Sequence, residues 1–223
     1  MERKNLPRVP SPLRDHIVEM PQAIFACTGV VIHGRRIKSL VFSTDIAIIR
    51  NCNADAVLAV YPFTPQQAVT DAIIRSASLP VFCGVGGGTT GGPRVAALAQ
   101  DAEAQGAMAV VVNAPMPNEV IAEIKSVVDI PVIATVVSDR SDIKGRIEAG
   151  TDIFNVSGAA ETASIVRHIR EQYPHAAIIA TGGPTEESIL ETIRAGANAI
   201  TITPPTTGEL FAGIMHDYRE KKL

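Results

Sequence analysis

Residues 177–209 read AIIATGGPTEESILETIRAGANAITITPPTTGE. The stretch contains an apolar run, a Gly-Gly-Pro turn, an amphipathic segment, a second apolar run and a turn into a last helix. This order predicts two parallel strands joined by a helix, because parallel strands need a long crossover connection. The stretch ends a chain of similar units. Strands seven and eight of a (β/α)8 barrel would lie here, and the loops after them often hold a phosphate.

The same alternation runs through most of the chain. Short apolar runs predict eight strands, at 39–44, 56–61, 80–85, 108–113, 131–136, 152–157, 177–181 and 198–203. Helices are predicted after them, near 45–52, 65–77, 93–105, 117–127, 139–149, 160–172, 185–195 and 207–220. Gly106, Gly150 and Gly196 occupy equivalent places before strands, where a left-handed residue ends a helix. The pattern predicts an α/β fold, a complete (β/α)8 TIM barrel.

The region before the first barrel strand falls outside this pattern. We assign residues 1–38 to an N-terminal extension and residues 39–223 to a single-domain barrel. Within the extension, Val30–Ile32 and Ile37 flank a His-Gly turn, which predicts a short hairpin. Its expected role is a plug beneath the barrel or an arm between subunits, because active sites of this fold lie at the opposite end.

Composition narrows the possible partners. The 223 residues carry a formal charge of −3 and show no lysine or arginine stripe, so a nucleic-acid partner is not expected. No apolar run reaches about 18 residues, and the first residues lack an apolar signal core, so we expect a cytoplasmic protein with no membrane partner. Cys27, Cys52 and Cys83 lack metal-binding or redox spacing, which favours reduced thiols.

Polar residues gather at the predicted C-terminal ends of the strands. Aligning the internal repeats puts Thr44, Gly84, Thr135 and Thr181 in one column, and Val60, Asn113, Ser157 and Thr203 in another. Asn155 and Thr201 lie one layer deeper on the same face, because strand side chains alternate. A purely structural barrel interior is filled by bulky branched residues, so this pattern predicts a ligand site. The alternative is that Asn155 only ties strands together through internal hydrogen bonds.

The opening stretch contains the strongest local signal. Gly182 and Gly183 allow the backbone to approach a ligand, and Pro184 opens the next helix. Free N–H groups and the helix dipole then favour an anion, so we predict a phosphate site here. Its predicted residues are Thr181, Gly182, Gly183, Thr203, Thr206, Thr207 and Gly208. The alternative is ordinary turn chemistry with a helix cap.

The loop after the third predicted strand is glycine-rich. Residues 84–94 read GVGGGTTGGPR, which contains the spacing Gly-x-Gly-x-x-Gly. A dinucleotide site also needs an acid at the next strand end, where Asn113 stands instead. We therefore predict a mobile loop over the mouth, in which Gly86, Gly87 and Gly88 and then Arg94 contact a second anionic group. The alternative is a flexible solvent loop.

Few residues suit catalysis. No lysine or histidine falls at a strand end, so Schiff-base chemistry, a metal site and a cofactor are not expected. Asp45 directly follows a strand and is the predicted general acid or base, with helix N-cap as the equal alternative. Asn113, Asn155 and Thr135 are predicted to orient the substrate.

The IATGGPT and AGANAI segments resemble the C-terminal quarter of phosphate-binding (β/α)8 barrels. These include the indole-glycerol-phosphate and ribulose-phosphate enzymes, the ketodeoxyphosphogluconate aldolases and the N-acetylmannosamine-6-phosphate epimerases. The resemblance implies a phosphate held by Gly182, Gly183 and the start of the last helix. The aldolase lysine and the epimerase metal ligands have no counterpart here. The whole chain is also similar to uncharacterised bacterial barrel proteins loosely labelled hydrolases.

These observations lead to one functional prediction and two alternatives. The first is an enzyme that acts on a small phosphorylated metabolite by proton-transfer isomerase or lyase chemistry at the mouth. The alternatives are a hydrolase in which Asp45 or Asp139 activates water, and a non-catalytic metabolite sensor. A homo-oligomer is expected in each case.

Overall fold

A computed structural model describes residues 7, 9, 11 and 16–220. Eight parallel strands close into a barrel in chain order, with the last strand paired to the first, and this confirms the predicted (β/α)8 TIM barrel. The barrel strands are β3 Ser39–Phe42, β4 Ala56–Ala59, β5 Val81–Gly86, β6 Ala109–Val112, β7 Val132–Val136, β8 Ile153–Val156, β9 Ala177–Thr181 and β10 Ala199–Ile202. Two further strands precede them, β1 Val30–Ile32 and β2 Arg35–Ile37.

Eight α-helices follow the barrel strands in turn. They are α1 Ile46–Arg50, α2 Gln67–Ser76, α3 Arg94–Gln105, α4 Asn118–Val127, α5 Ile143–Glu148, α6 Thr162–Gln172, α7 Glu186–Arg194 and α8 Thr207–Arg219. Gly106, Gly150 and Gly196 each have a positive φ, as predicted for residues that end a helix. Helix α5 is shorter than expected because Asp142 caps its first turn, accepting a hydrogen bond from the Gly145 N–H.

Alternation along each strand separates two apolar clusters. Leu40, Leu58, Phe82 and Ile133 point into the barrel, whereas their chain neighbours pack outward against the helices. Both faces are therefore buried, which explains why the strands read as nearly continuous apolar runs.

Strand register places the polar interior residues in layers. Thr135 pairs with Asn155, and Thr181 pairs with Thr201, which in turn pairs with Leu40. Because Leu40 and Phe42 share a face, Phe42 takes the place at the rim that the repeat alignment assigned to Thr44. The alignment of the first strand is therefore wrong by two residues, since Thr44 lies beyond the end of β3.

The N-terminal hairpin closes the lower end of the barrel. Strands β1 and β2 pair antiparallel, and Ile32 and Ile37 are buried in the inner apolar cluster. The N–H groups of Gly29 and Ile200 donate to the Asn198 and Lys38 carbonyls, which fastens the hairpin beside β10. The apolar face of the hairpin, formed by Ile32 and Ile37, therefore packs against the interior of the barrel.

The segment before the hairpin covers part of the outer surface. Met20 and Ile24 are buried in the outer cluster, and the 3-10 helix Gln22–Ala26 packs against α7. Val18 forms a bridge with Cys52, just beyond α1. The segment therefore reaches from α7 to the end of α1. Among the described residues, no helix is long and apolar enough to cross a membrane.

Candidate functional site

The polar residues predicted at the mouth meet on neighbouring strands. The Asn155 side-chain amide on β8 donates to Thr135 Oγ1 on β7 at 3.3 Å. Asn155 Oδ1 is buried and has no hydrogen-bond partner among the described residues. Thr201 Oγ1 on β10 is likewise buried without a partner in that part of the chain. The structure is therefore compatible with both predicted roles of Asn155. Its amide group joins two strands, and its carbonyl oxygen remains available to a ligand.

The rim above this layer carries further hydroxyl groups. Thr181 Oγ1 donates to Ser157 Oγ at 3.3 Å across β9 and β8, and Thr203 is exposed just beyond β10. The strands β7 to β10 therefore present amide and hydroxyl groups to the mouth, and none of these groups carries a charge.

The opposite side of the mouth is largely apolar. A small pocket is lined by Val60, Tyr61, Phe63, Pro65, Gly84, Gly86, Gly87 and Asn113. Phe42 also reaches this rim and is 37% exposed. Asn113 follows β6, the neighbour of β7, and it lies between this pocket and the strand that carries Thr135. Sequence reasoning missed Phe42 because the repeat alignment placed Thr44 at this position.

Asp45 is occupied by structural contacts. Its Oδ1 accepts from the backbone N–H of Ala47 at 2.8 Å, which makes it the N-cap of α1. Its Oδ2 accepts a hydrogen bond from the Thr207 hydroxyl at the start of α8. The Thr207 hydrogen bond, followed by those from the α1 backbone, holds the pKa of the Asp45 carboxyl below its ordinary value. A carboxylate in this state is a weak base, so the geometry favours the capping role.

The Gly-Gly-Pro turn has a structural reason for each glycine. A Cβ on Gly182 would lie 2.6 Å from Ile200 Cγ2, and Gly183 has φ +76°. Ser188 Oγ donates to the Gly182 carbonyl, and Ser188 forms a capping box with Thr185 at the start of α7. Thr181, Gly182 and Gly183 lie at the C-terminal end of β9, and turn chemistry alone accounts for the two glycines.

The start of α8 is also capped from within the chain. The Thr206 N–H donates to Glu209 Oε2 at 2.7 Å, and the Thr206 side chain accepts from the Glu209 N–H. Asp45 accepts a hydrogen bond from Thr207 in the same turn. The carboxylates of Asp45 and Glu209 therefore both lie at the end of α8 where a phosphate was predicted. Gly208 is exposed in the same turn. A phosphate at this end of α8 has to compete with those carboxylates.

The glycine-rich loop contains a turn that is closed by a backbone hydrogen bond. The Gly87 N–H donates to the Thr90 carbonyl at 2.8 Å, and a Cβ on Gly87 would lie 2.6 Å from Asn113 Cβ. Gly86 packs against Val95, whereas Gly88 has open space around it. Arg94 is exposed at the start of α3 and lines an outer groove with α2 residues. A contact between Arg94 and a ligand in the mouth therefore stays a prediction.

Three further side chains with reactive groups, Cys83, Tyr61 and Asp139, are buried, hydrogen-bonded or exposed to solvent. Cys83 faces the outer cluster, and burial raises the pKa of its thiol to about 12. The Tyr61 hydroxyl accepts from the Gln66 N–H. Asp139 is exposed and accepts from Ser138. Across the described part of the chain, no group of three or more His, Cys, Asp or Glu side chains is placed to hold a metal ion.

Comparison with known proteins identifies the fold alone. No protein-family model and no curated protein match the chain. Among solved structures, a protein assigned as a phosphonomutase from Burkholderia cenocepacia J2315 is similar with a TM-score of 0.65 and 16% identity, over 89% of this chain and 97% of that one. A 2,3-dimethylmalate lyase of the PEP mutase/isocitrate lyase superfamily gives 0.64 and 16%, over 90% and 84%. A phosphonopyruvate hydrolase gives 0.59 and 14%, over 83% of each chain.

Proposed function

We propose that this chain is an enzyme that binds a small phosphorylated metabolite in the barrel mouth and converts it by proton-transfer isomerase or lyase chemistry. The observation that carries the proposal is the pair of buried, unpartnered oxygens on Asn155 and Thr201. Leaving a buried polar atom without a partner costs about 1–3 kcal/mol, so such atoms call for an explanation. A ligand that supplies their partners explains both at once.

The two atoms also restrict the ligand. Asn155 Oδ1 can only accept a hydrogen bond, so the ligand must present a hydroxyl or other donor to it. The Thr201 hydroxyl can donate to a ligand oxygen while Thr135 keeps the Asn155 amide in place. A small metabolite that carries hydroxyl and carbonyl or carboxylate groups fits this pattern.

In this proposal the phosphate lies beside the Gly183 turn and Thr203. Thr181 and the N-terminus of α7 border the same space. The dipole of α7 favours an anion there, while Glu186 and Glu187 in its first turn oppose one. The first turn of α8 contributes less, because Asp45 and Glu209 already accept from its donors. The names of the similar structures include a phosphonomutase, a lyase and a hydrolase, all with low identity to this chain. They support an enzyme of this general kind and do not indicate the substrate.

One observation favours a second candidate, a metabolite sensor without turnover. Asp45 is the predicted general base, yet both of its oxygens are taken and its pKa is lowered. A barrel with a ligand pocket and no free base binds without catalysis. Asp45→Asn separates the candidates, because an enzyme that relies on this base loses most of its turnover and still binds its ligand.

A paired screen tests the proposal. The melting temperature is measured with phosphorylated sugars and phosphorylated small acids, each beside its unphosphorylated counterpart, and with inorganic phosphate. Each compound that binds is then incubated with the protein in deuterated water, and carbon-bound deuterium is followed by NMR. The proposal expects stabilisation by a phosphorylated member and deuterium incorporation. Equal binding of both counterparts contradicts the phosphate part, and binding without exchange or turnover favours the sensor.

A further inference from the structure

Helix α8 has an apolar face that its own barrel does not cover. None of its thirteen residues, Thr207–Arg219, is buried. Leu210, Phe211, Ile214 and Tyr218 are 39%, 62%, 48% and 58% exposed. Their spacing puts them on one side of the helix, which is the pattern of a helix that packs against a partner.

The reason for this exposure lies in the N-terminal segment. The eighth helix of a barrel packs on the outer face between the seventh and first helices. Here the chain from Val18 to Ala26 already reaches from α7 to the end of α1, and buried Met20 and Ile24 fill the space. The Thr207–Asp45 hydrogen bond anchors the start of α8. Because the N-terminal segment covers the barrel surface at this place, the apolar face of α8 packs against little of its own barrel.

A groove runs beside the uncovered face. Its walls come from the segment at His16–Val18, from α1 and from α8, and its apolar lining includes Ile17, Ile48, Leu210, Phe211, Ile214 and Tyr218. We call this surface the α8 groove. Ile17 is 38% exposed, so both walls of the groove offer apolar surface.

We propose that the α8 groove is the contact between two copies of this chain, related by a two-fold axis. At about 200 Å² for a fully exposed large side chain, Ile17, Leu210, Phe211, Ile214 and Tyr218 together offer roughly 500 Å² of surface. A patch of that size matches the largest apolar patch of a typical soluble protein, and such patches are often functional. A two-fold axis pairs the same patch on both copies and buries about 1,000 Å², which is the lower limit for a biological interface.

The identity of the partner follows from the shape and chemistry of the groove. An apolar groove accepts the apolar face of an amphipathic helix, and the same surface carries such a helix, α8. A second copy therefore supplies both halves of the contact. The start of α8 borders the mouth, so the dimer contact also fixes the helix that contributes Thr206 and Thr207 to the predicted ligand site.

Sedimentation velocity from about 1 to 100 µM tests the proposal, since a contact of about 1,000 Å² lies at the weak end of specific interfaces. The full chain is expected to sediment as a dimer at the higher concentration. The variant Phe211→Asp/Ile214→Asp is expected to be monomeric with an unchanged circular dichroism spectrum. Val31→Asp changes a side chain that is 67% exposed on β1 and serves as the matched control, which is expected to remain dimeric.

A second measurement does not depend on any variant. Amide hydrogen exchange in α8 of the unaltered chain is compared at the lowest and highest concentrations of that range, and slower exchange is expected at the highest. A chain that is still monomeric at the highest concentration, or a dimer that survives both aspartate substitutions, overturns the proposal. Equal exchange of α8 at two concentrations that sedimentation shows to be monomeric and dimeric does so too.

Discussion

The side-chain amide of Asn155 donates to Thr135 Oγ1 across β7 and β8, and the same hydrogen bond leaves Asn155 Oδ1 buried and without a partner in the described chain. One half of the side chain is therefore structural, and the other half faces the mouth. The balance between these halves decides how the residue responds to substitution.

Asn155→Leu is expected to separate stability from binding. Leucine has a similar volume and removes an unsatisfied acceptor along with a long hydrogen bond, so the melting temperature should change by no more than a few degrees. Ligand affinity should fall by about 10-fold or more, because a ligand donor loses its acceptor. Thermal unfolding and calorimetric titration with the best compound from the screen measure the two effects. A large loss of stability with unchanged affinity would show that Asn155 serves the fold alone.

The Asp45 carboxylate should make stability depend on pH in the acid range. Its folded-state pKa is lowered, first by the Thr207 hydrogen bond, so the unfolded chain takes up a proton at a higher pH than the folded chain. The stabilisation is complete above the ordinary aspartate pKa of about 3.9. It is lost as the pH falls through the lower folded value.

Urea unfolding of the unaltered chain and Asp45→Asn, from about pH 3 to pH 7, measures this dependence. The unaltered chain should be more stable at neutral pH, and the difference should shrink below about pH 4. Asp139 is an exposed aspartate in the loop between β7 and α5, so Asp139→Asn controls for the loss of one negative charge. If the free energies of unfolding of the unaltered chain and of Asp45→Asn differ by the same amount at every pH, the contacts assigned to Asp45 are contradicted.

Gly182→Ala is expected to destabilise the chain by about 1–3 kcal/mol, because extra atoms in a packed site force strain. The new Cβ would meet Ile200 Cγ2 at 2.6 Å and Ile189 Cγ1 at 2.8 Å. Gly213→Ala in α8 is the control, since a Cβ there meets nothing within 4 Å. That substitution should stabilise the helix by up to about 1 kcal/mol. A neutral Gly182→Ala that abolishes phosphate binding would instead assign the glycine to the ligand.

The three cysteines should differ in reactivity. Burial raises the pKa of the Cys27 thiol to about 11 and that of Cys83 to about 12, whereas Cys52 is only partly buried. Because the thiolate is the reactive form, a thiol reagent at about pH 8 should modify Cys52 first in the native chain. Urea should expose the other two. Rapid modification of Cys83 in the folded chain would contradict its buried position between the barrel strands and the helices.

The barrel could be predicted from sequence because each strand and each helix is marked locally. Apolar runs of fixed length and glycines such as Gly106 and Gly196 define the units, and their order determines a parallel sheet. The first unit shows the limit of this reasoning. Its alignment placed Thr44 at the rim, whereas β3 ends at Phe42, which shares the inward face of Leu40.

The site was predictable only in part. Alternation along the strands placed Thr135 and Asn155 on the inner face of the barrel, because that pattern depends on neighbouring residues. Their pairing across β7 and β8 follows only from the strand register. The occupation of Asp45 by Thr207 joins residues 162 positions apart, and no local pattern reveals it. The uncovered face of α8 also depends on a distant feature, the N-terminal segment around Met20 and Ile24.

Calorimetric titration of Thr201→Val beside Thr151→Val tests the central claim most directly. Both threonines are buried with unpartnered hydroxyl groups, but Thr201 points into the mouth and Thr151 precedes β8 at the other end. The titrant is the compound that most raises the melting temperature. The account predicts about 10-fold weaker binding to Thr201→Val, as expected for a lost ligand hydrogen bond, and unchanged binding to Thr151→Val. Equal affinity of the two variants would contradict a ligand site in the barrel mouth.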